Sequence, residues 1–133
     1  MNDNSLKDRA AGTIVGALIG DALALGPHWY YDLKQLRERF GPWINGYTDP
    51  EPERYHEGHK AGNLSQTGLI TLELLRSVVA SGRYDEADFT RRLDEKLLQH
   101  MDGSPYDGPG GYTNQSIREL YQARVRDKKP WGQ

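Results

Sequence analysis

The sequence predicts an all-α fold on three observations. Apolar residues recur at helical spacing in five separate stretches. Glycine and proline punctuate the chain where these stretches stop, and no segment alternates apolar and polar residues with period two. Any β-structure is therefore expected to be minor.

The first helix is expected over about residues 6–25, where Leu6, Ala10, Ile14, Leu18 and Ala22 stand four apart and Ser5 with Asp8 resembles a capping box. Gly12, Gly16 and Gly20 form a side-chain-free line along it. Each glycine costs a helix about 1 kcal/mol relative to alanine, so a second backbone is expected to pack closely on that line. Gly26-Pro27 stops the helix. A two-turn helix follows over about residues 32–40, carried by Leu33, Leu36 and Phe40 and ended by Gly41-Pro42. Residues 43–65 contain prolines and glycines and no sustained period. They read as a long loop, which in a compact domain is usually functional or disordered.

The third helix is expected over about residues 67–81, with Leu69, Leu72, Leu75 or Arg76, and Val79 on one apolar face and Gly82 as its stop. Asp85 then caps a fourth, through about His100, whose Phe89, Leu93 and Leu97 repeat every four residues opposite a charged face. Residues 102–111 hold four of the fifteen glycines and form a loop. Thr113 or Asn114 can cap a last helix carrying Ile117, Leu120, Tyr121 and Val125. The basic stretch 124–129 reads as a solvated helix end suited to the helix dipole, or as a contact to a further part of the fold.

The 133 residues amount to one ordinary domain, and a 36% hydrophobic content allows only a modest core. Seventeen basic and nineteen acidic side chains give 17 − 19 = −2, which offers a polyanion no counterion-release advantage, so nucleic acid is not an expected partner. The absence of cysteine excludes a disulfide framework, thiolate catalysis and Cys-ligated zinc, and fits a reducing compartment. Residues 10–25, the most apolar stretch, are broken by Gly12, Gly16, Gly20 and Asp21, too short and too polar for a membrane span. The start, with Asn2, Asp3 and Asn4, lacks the basic region of a signal peptide, and the cytoplasm is the expected location.

Three stretches, taken in order, resemble successive landmarks of the ADP-ribosylglycohydrolase family: GALIGDALALGPHWYYD at 16–32, GNLSQTG at 62–68 and GPGGYTNQSIREL at 108–120. The HWYYD continuation resembles the family's J-type crystallin branch. This resemblance implies the N-terminal part of an orthogonal helical bundle, with residues 1–133 belonging to a single domain whose C-terminal part lies beyond Gln133. It also implies ADP-ribose or a related nucleotide sugar as ligand, and Mg²⁺ as cofactor. The remainder of the fold becomes an expected partner, and a homo-oligomer is a further expectation.

Removing ADP-ribose requires stabilising an oxocarbenium-like ribose and activating a water, tasks that family members assign to two magnesium ions and acidic residues. Matching the family's Thr-Asp-Asp-Thr metal sequence residue by residue puts Ser65 at the first Thr, Gln66 and Thr67 at the two Asp positions, and Gly68 at the last Thr. Both carboxylates are absent, which weakens any hard-cation site.

Asp21, inside an apolar helix, is the candidate catalytic acid, and its competing role is structural, accepting backbone N–H bonds from the long loop. His28 and Trp29, with Tyr30 and Tyr31, could stack on an adenine or ribose, or pack with their polar tips satisfied. His56-Glu57-Gly58-His59 has neither the spacing nor the helix of a zincin motif and reads as a solvated loop. Residues 108–113 could cradle a diphosphate, with Tyr112, Thr113 and Asn114 as side-chain contributors, or serve as a plain connection. Two functions follow: a hydrolase of N- or O-linked ADP-ribose conjugates with an altered metal site, or a non-catalytic ADP-ribose-binding or crystallin-like relative. A helical interaction module unrelated to nucleotides is the third.

Overall fold

The computed structural model describes residues 3–103 and 114–132. Helix α1 runs Asp3–Leu25, α2 Leu33–Phe40, α3 Gln66–Ser81 and α4 Glu86–Lys96. A 3₁₀ turn, Leu98–His100, follows, and then α5, Gln115–Tyr121, which continues as a π-helical turn over Gln122–Arg126. No strand occurs among the described residues, and none of their helices is long and apolar enough to cross a membrane.

Side-chain caps decide where four of these helices begin. The Asp32 carboxylate accepts from the N–H groups of Lys34 and Gln35, and Ser65 accepts from Gly68 N–H. Asp85 does the same for Asp88, and Asn114 for Ile117. Each cap satisfies a donor that the first helical turn leaves orphaned and contributes about 1 kcal/mol. Gly82 closes α3 in the left-handed region at φ +69°, which glycine reaches without strain.

The first helix departs from expectation at both its start and its surface. Ser5 lies inside α1, where its carbonyl accepts from Arg9 Nε, rather than capping the helix start. Among the described residues no heavy atom lies within 4 Å of where a Cβ would stand on Gly12, Gly16 or Gly20, so none of their backbone packs on the glycine line. Close approach happens at Gly26 instead, where a Cβ would collide with the Thr48 carbonyl of the long loop. Only the last turns of α1, at Ala22 and Leu25, are buried, while Leu6 is 59% and Val15 54% exposed.

The core gathers Leu93, Leu97, Leu98, Met101 and Ile117, with Leu69, Ile70, Phe89, Leu120, Val125 and Trp131 packed around it. Helix α3 does not present the expected face, for Val79 is exposed and its buried positions are Gln66, Gly68, Glu73 and Ser77. The reason lies on α4. Arg92, bound to Asp88 at 2.6 Å, sits opposite Glu73, and Glu73 also pairs with Arg76. Charged side chains thus hold α3 on α4 beside the apolar core, and desolvated pairs of this kind set register more than they add stability.

The fourth helix stops at Lys96, short of His100, and the chain tightens so that Leu98 becomes fully buried. The basic stretch is only partly solvated. Arg124 binds the Asp94 carboxylate on α4, and Trp131 Nε1 donates to the same carboxylate at 2.9 Å. That anchor lies beside the π-helical turn, where Asp127 N–H reaches Gln122 O at 2.9 Å.

An exposed apolar stripe on α1 makes the isolated chain prone to self-association. We expect sedimentation to find species larger than one chain, and Val15→Lys with Ile19→Lys to shift them to monomer. A wild-type chain that stays monomeric at high concentration contradicts this.

Candidate functional site

The site starts from one carboxylate. Asp21, near the C-terminal end of α1, accepts the Ser65 backbone N–H at 2.7 Å through Oδ2 and the Ser65 hydroxyl at 2.6 Å through Oδ1. The Ser65 hydroxyl in turn accepts from Gly68 N–H at 3.2 Å. A relay from α1 to the first turn of α3 results, with a negative charge at the positive end of α3, where the dipole favours it. Gly68 is required here, because a Cβ would strike the Asp21 carboxylate.

Beyond the stop of α1, the chain turns through Trp29 at φ +72°, a conformation costly for a side chain of that size. The turn is held by the long loop folding back upon it. Trp29 packs edge-on against Tyr55, Tyr30 donates to the Glu51 carboxylate, and the Arg54 guanidinium lies 4.2 Å from the centre of the Tyr30 ring. His28 Nδ1 and His56 Nε2 are 2.9 Å apart with their rings stacked at 4.9 Å, and His59 stands edge-on to His56 at 5.7 Å.

The solvated-loop expectation for residues 56–59 is therefore wrong: His59 is only 8% exposed. What sequence spacing could not reveal is that the 28-residue separation of His28 and His56 closes in space. Burial lowers the proton affinity of all three imidazoles. His56 falls furthest, to about 4, first through burial and then through the neighbouring His28 and His59, with the Asp21 charge partly opposing.

Between these elements lies a cavity of about 330 Å³. Ala24 and Leu25 form its apolar wall, and Asp21, His28, His56, Ser65, Gln66, Thr67 and Asn114 its polar one. Residues from α1, the long loop, the start of α3 and the cap of α5 thus meet at one place. Trp29 does not line it. Tyr112 and Thr113, with the rest of the 108–113 loop, lie outside the described residues.

The oxygens here do not suit Mg²⁺. Both Asp21 oxygens hold Ser65, the Ser65 hydroxyl both donates and accepts, and Gln66 and Thr67 are neutral. A hard divalent cation needs several free oxygen ligands, ionised ones above all, and among the described residues no three histidine or acidic side chains cluster around a point.

Comparison with known proteins places this geometry. The model of the ADP-ribosylglycohydrolase family matches residues 2–132. The chain belongs to the ADP-ribosylglycohydrolase family. It is 28% identical over 118 residues to Crystallin J1A of Tripedalia cystophora, an alignment covering 82% of this chain and 33% of that protein. The chain thus spans about a third of the length of the curated relative it matches. No solved structure matches it. In this ADP-ribosylglycohydrolase-family chain, the three sequence landmarks contribute Asp21 and His28, then Ser65, Gln66 and Thr67, then Asn114, to one cavity wall.

Two outcomes test the arrangement. Asp21→Asn turns an amide N–H toward one of two donors, so it should cost about 1–3 kcal/mol in denaturant unfolding, with Gly68→Ala similar. Unchanged midpoints in both would contradict the relay. Because folded His56 holds its proton more weakly than an unfolded histidine, stability should be complete above pH about 6.5 and fall as pH drops toward about 4. His28 and His59 shift the same way and add to the slope. Melting temperature against pH should flatten in His56→Gln, and parallel curves for variant and wild type would count against it.

Proposed function

We propose that this chain is the ligand-binding portion of an ADP-ribosylglycohydrolase-type domain that takes ADP-ribose or a related nucleotide sugar without magnesium-dependent turnover. One observation carries the reading: residues of three separated stretches, Asp21 with His28, Ser65 with Gln66 and Thr67, and Asn114, share one cavity wall. Its volume falls within the range of about 300–1,000 Å³ usual for small-molecule sites. Ala24 and Leu25 offer an apolar surface to a base or ribose, the His28 ring can stack, and hydroxyl and amide groups can meet ribose hydroxyls. Trp29, Tyr112 and Thr113 are further contributors implied by the family resemblance.

Loss of turnover follows from the chemistry at the second landmark. Gln66 and Thr67 bring no charge where the family pattern has two carboxylates, and Asp21 is engaged by Ser65 through both oxygens. Among the described residues a ribose oxocarbenium then meets no free anionic partner organised for it. This supports a binding or crystallin-like role, and the cysteine-free sequence fits the cytoplasm as its proposed setting. The remainder of the family fold is the partner proposed to cover the exposed side of α1.

Hydrolysis of N- or O-linked ADP-ribose conjugates is the second reading, favoured by the Asp21 carboxylate on the cavity wall. Calorimetric titration with ADP-ribose, with and without Mg²⁺, and with an ADP-ribosylated peptide separates the two. We expect saturable ADP-ribose binding unaffected by Mg²⁺ and no release of free ADP-ribose from the peptide. Release of ADP-ribose would establish the hydrolase, and no binding in either condition would sink both.

A further inference from the structure

The geometry points to an open two-histidine site for a borderline divalent cation, Zn²⁺ or Ni²⁺, formed by His28 Nδ1 and His56 Nε2 on the wall of the cavity. The two nitrogens lie 2.9 Å apart and come from different elements, the stop of α1 and the long loop. Two imidazole nitrogens bound to one zinc at about 2.0–2.1 Å, with an angle near 90–100° between the bonds, stand about 3 Å from each other. The two nitrogens share a hydrogen bond across rings whose centroids are 4.9 Å apart, and an ion bound between them would replace that bond as each ring turns its lone pair off the line joining them.

The donor type also selects the ion. Imidazole suits zinc, nickel and copper, whereas magnesium prefers carboxylate, carbonyl and water oxygens, so the chain has poor ligands for a hard cation and two good ones for a borderline cation. The Asp21 carboxylate stands on the same cavity wall as both rings and supplies negative charge nearby. Among the described residues no third histidine or acid completes the set, so the other positions belong to water or to a ligand in the cavity, the open form that a reactive rather than structural ion takes.

This site does not depend on the nucleotide reading, since the probe is the metal alone. Titration of the full chain at neutral pH with Zn²⁺, Ni²⁺ and Mg²⁺, followed by calorimetry and by melting temperature, should give one equivalent of Zn²⁺ or Ni²⁺ with a raised melting temperature and no response to Mg²⁺. Co²⁺ should give visible absorption characteristic of imidazole coordination in the wild-type chain, a readout that needs no variant. His28→Gln and His56→Gln should each abolish these signals, whereas His100→Gln, in the turn after α4, should retain them. Absence of Zn²⁺ binding by wild type, or its survival in the His28→Gln, His56→Gln double variant, overturns the proposal.

Discussion

The contact between Asp21 and Ser65 is the constraint on which the rest of the site depends. It joins residues 44 apart in sequence, and it does so through a backbone N–H and a hydroxyl at once, which fixes orientation as well as distance. Charge-assisted bonds of this kind are roughly twice as strong as neutral ones. The same contact sets the spacing between the end of α1 and the start of α3, and the cavity is the space between them. It also explains why Gly68, with no side chain, stands in the first turn of that helix. A carboxylate used in this way organises the wall it stands on and has little capacity left for an ion.

Elsewhere the chain is economical with apolar burial. A small cluster around Leu98 and Ile117 forms the core, and the helices above it are held in register by Glu73, Asp88, Arg92, Asp94 and Arg124. Helix α1 stands largely outside that core. Its exposed Leu6, Val15 and Ile19, with three unpacked glycines, form a surface suited to close contact with another helix. The alignment with Crystallin J1A covers 82% of this chain and 33% of that relative.

Much of the local structure was legible in the residues themselves. Asp32, Ser65, Asp85 and Asn114 all cap helices, and Gly82 closes one, because capping is decided within a few residues of the cap. The misreadings concern what each face meets. Period alone put Val79 on the apolar face, but it is exposed, and α4 presents Arg92 opposite the buried Glu73. The glycine line on α1 signalled close packing, and the partner backbone is not among the described residues. His56 and His59 looked like loop residues since neither has a local reason to be buried, and only the return of the long loop onto Trp29 and Tyr30 explains them. The family resemblance, by contrast, rested on ordered motifs; residues of the first two line the cavity, and of the third only Asn114 does so among the described residues.

The chain is thus a helical scaffold that gathers three loop ends, with its anionic residue spent on architecture and its two closest imidazoles left facing the cavity. Amide chemical-shift mapping tests that convergence most directly. On addition of ADP-ribose, the backbone signals of Ser65, Gln66, Thr67 and Asn114 should move together and saturate at one concentration, while those of α4 remain in place. Shifts confined to a single stretch, or a response centred on α4, would contradict the shared site.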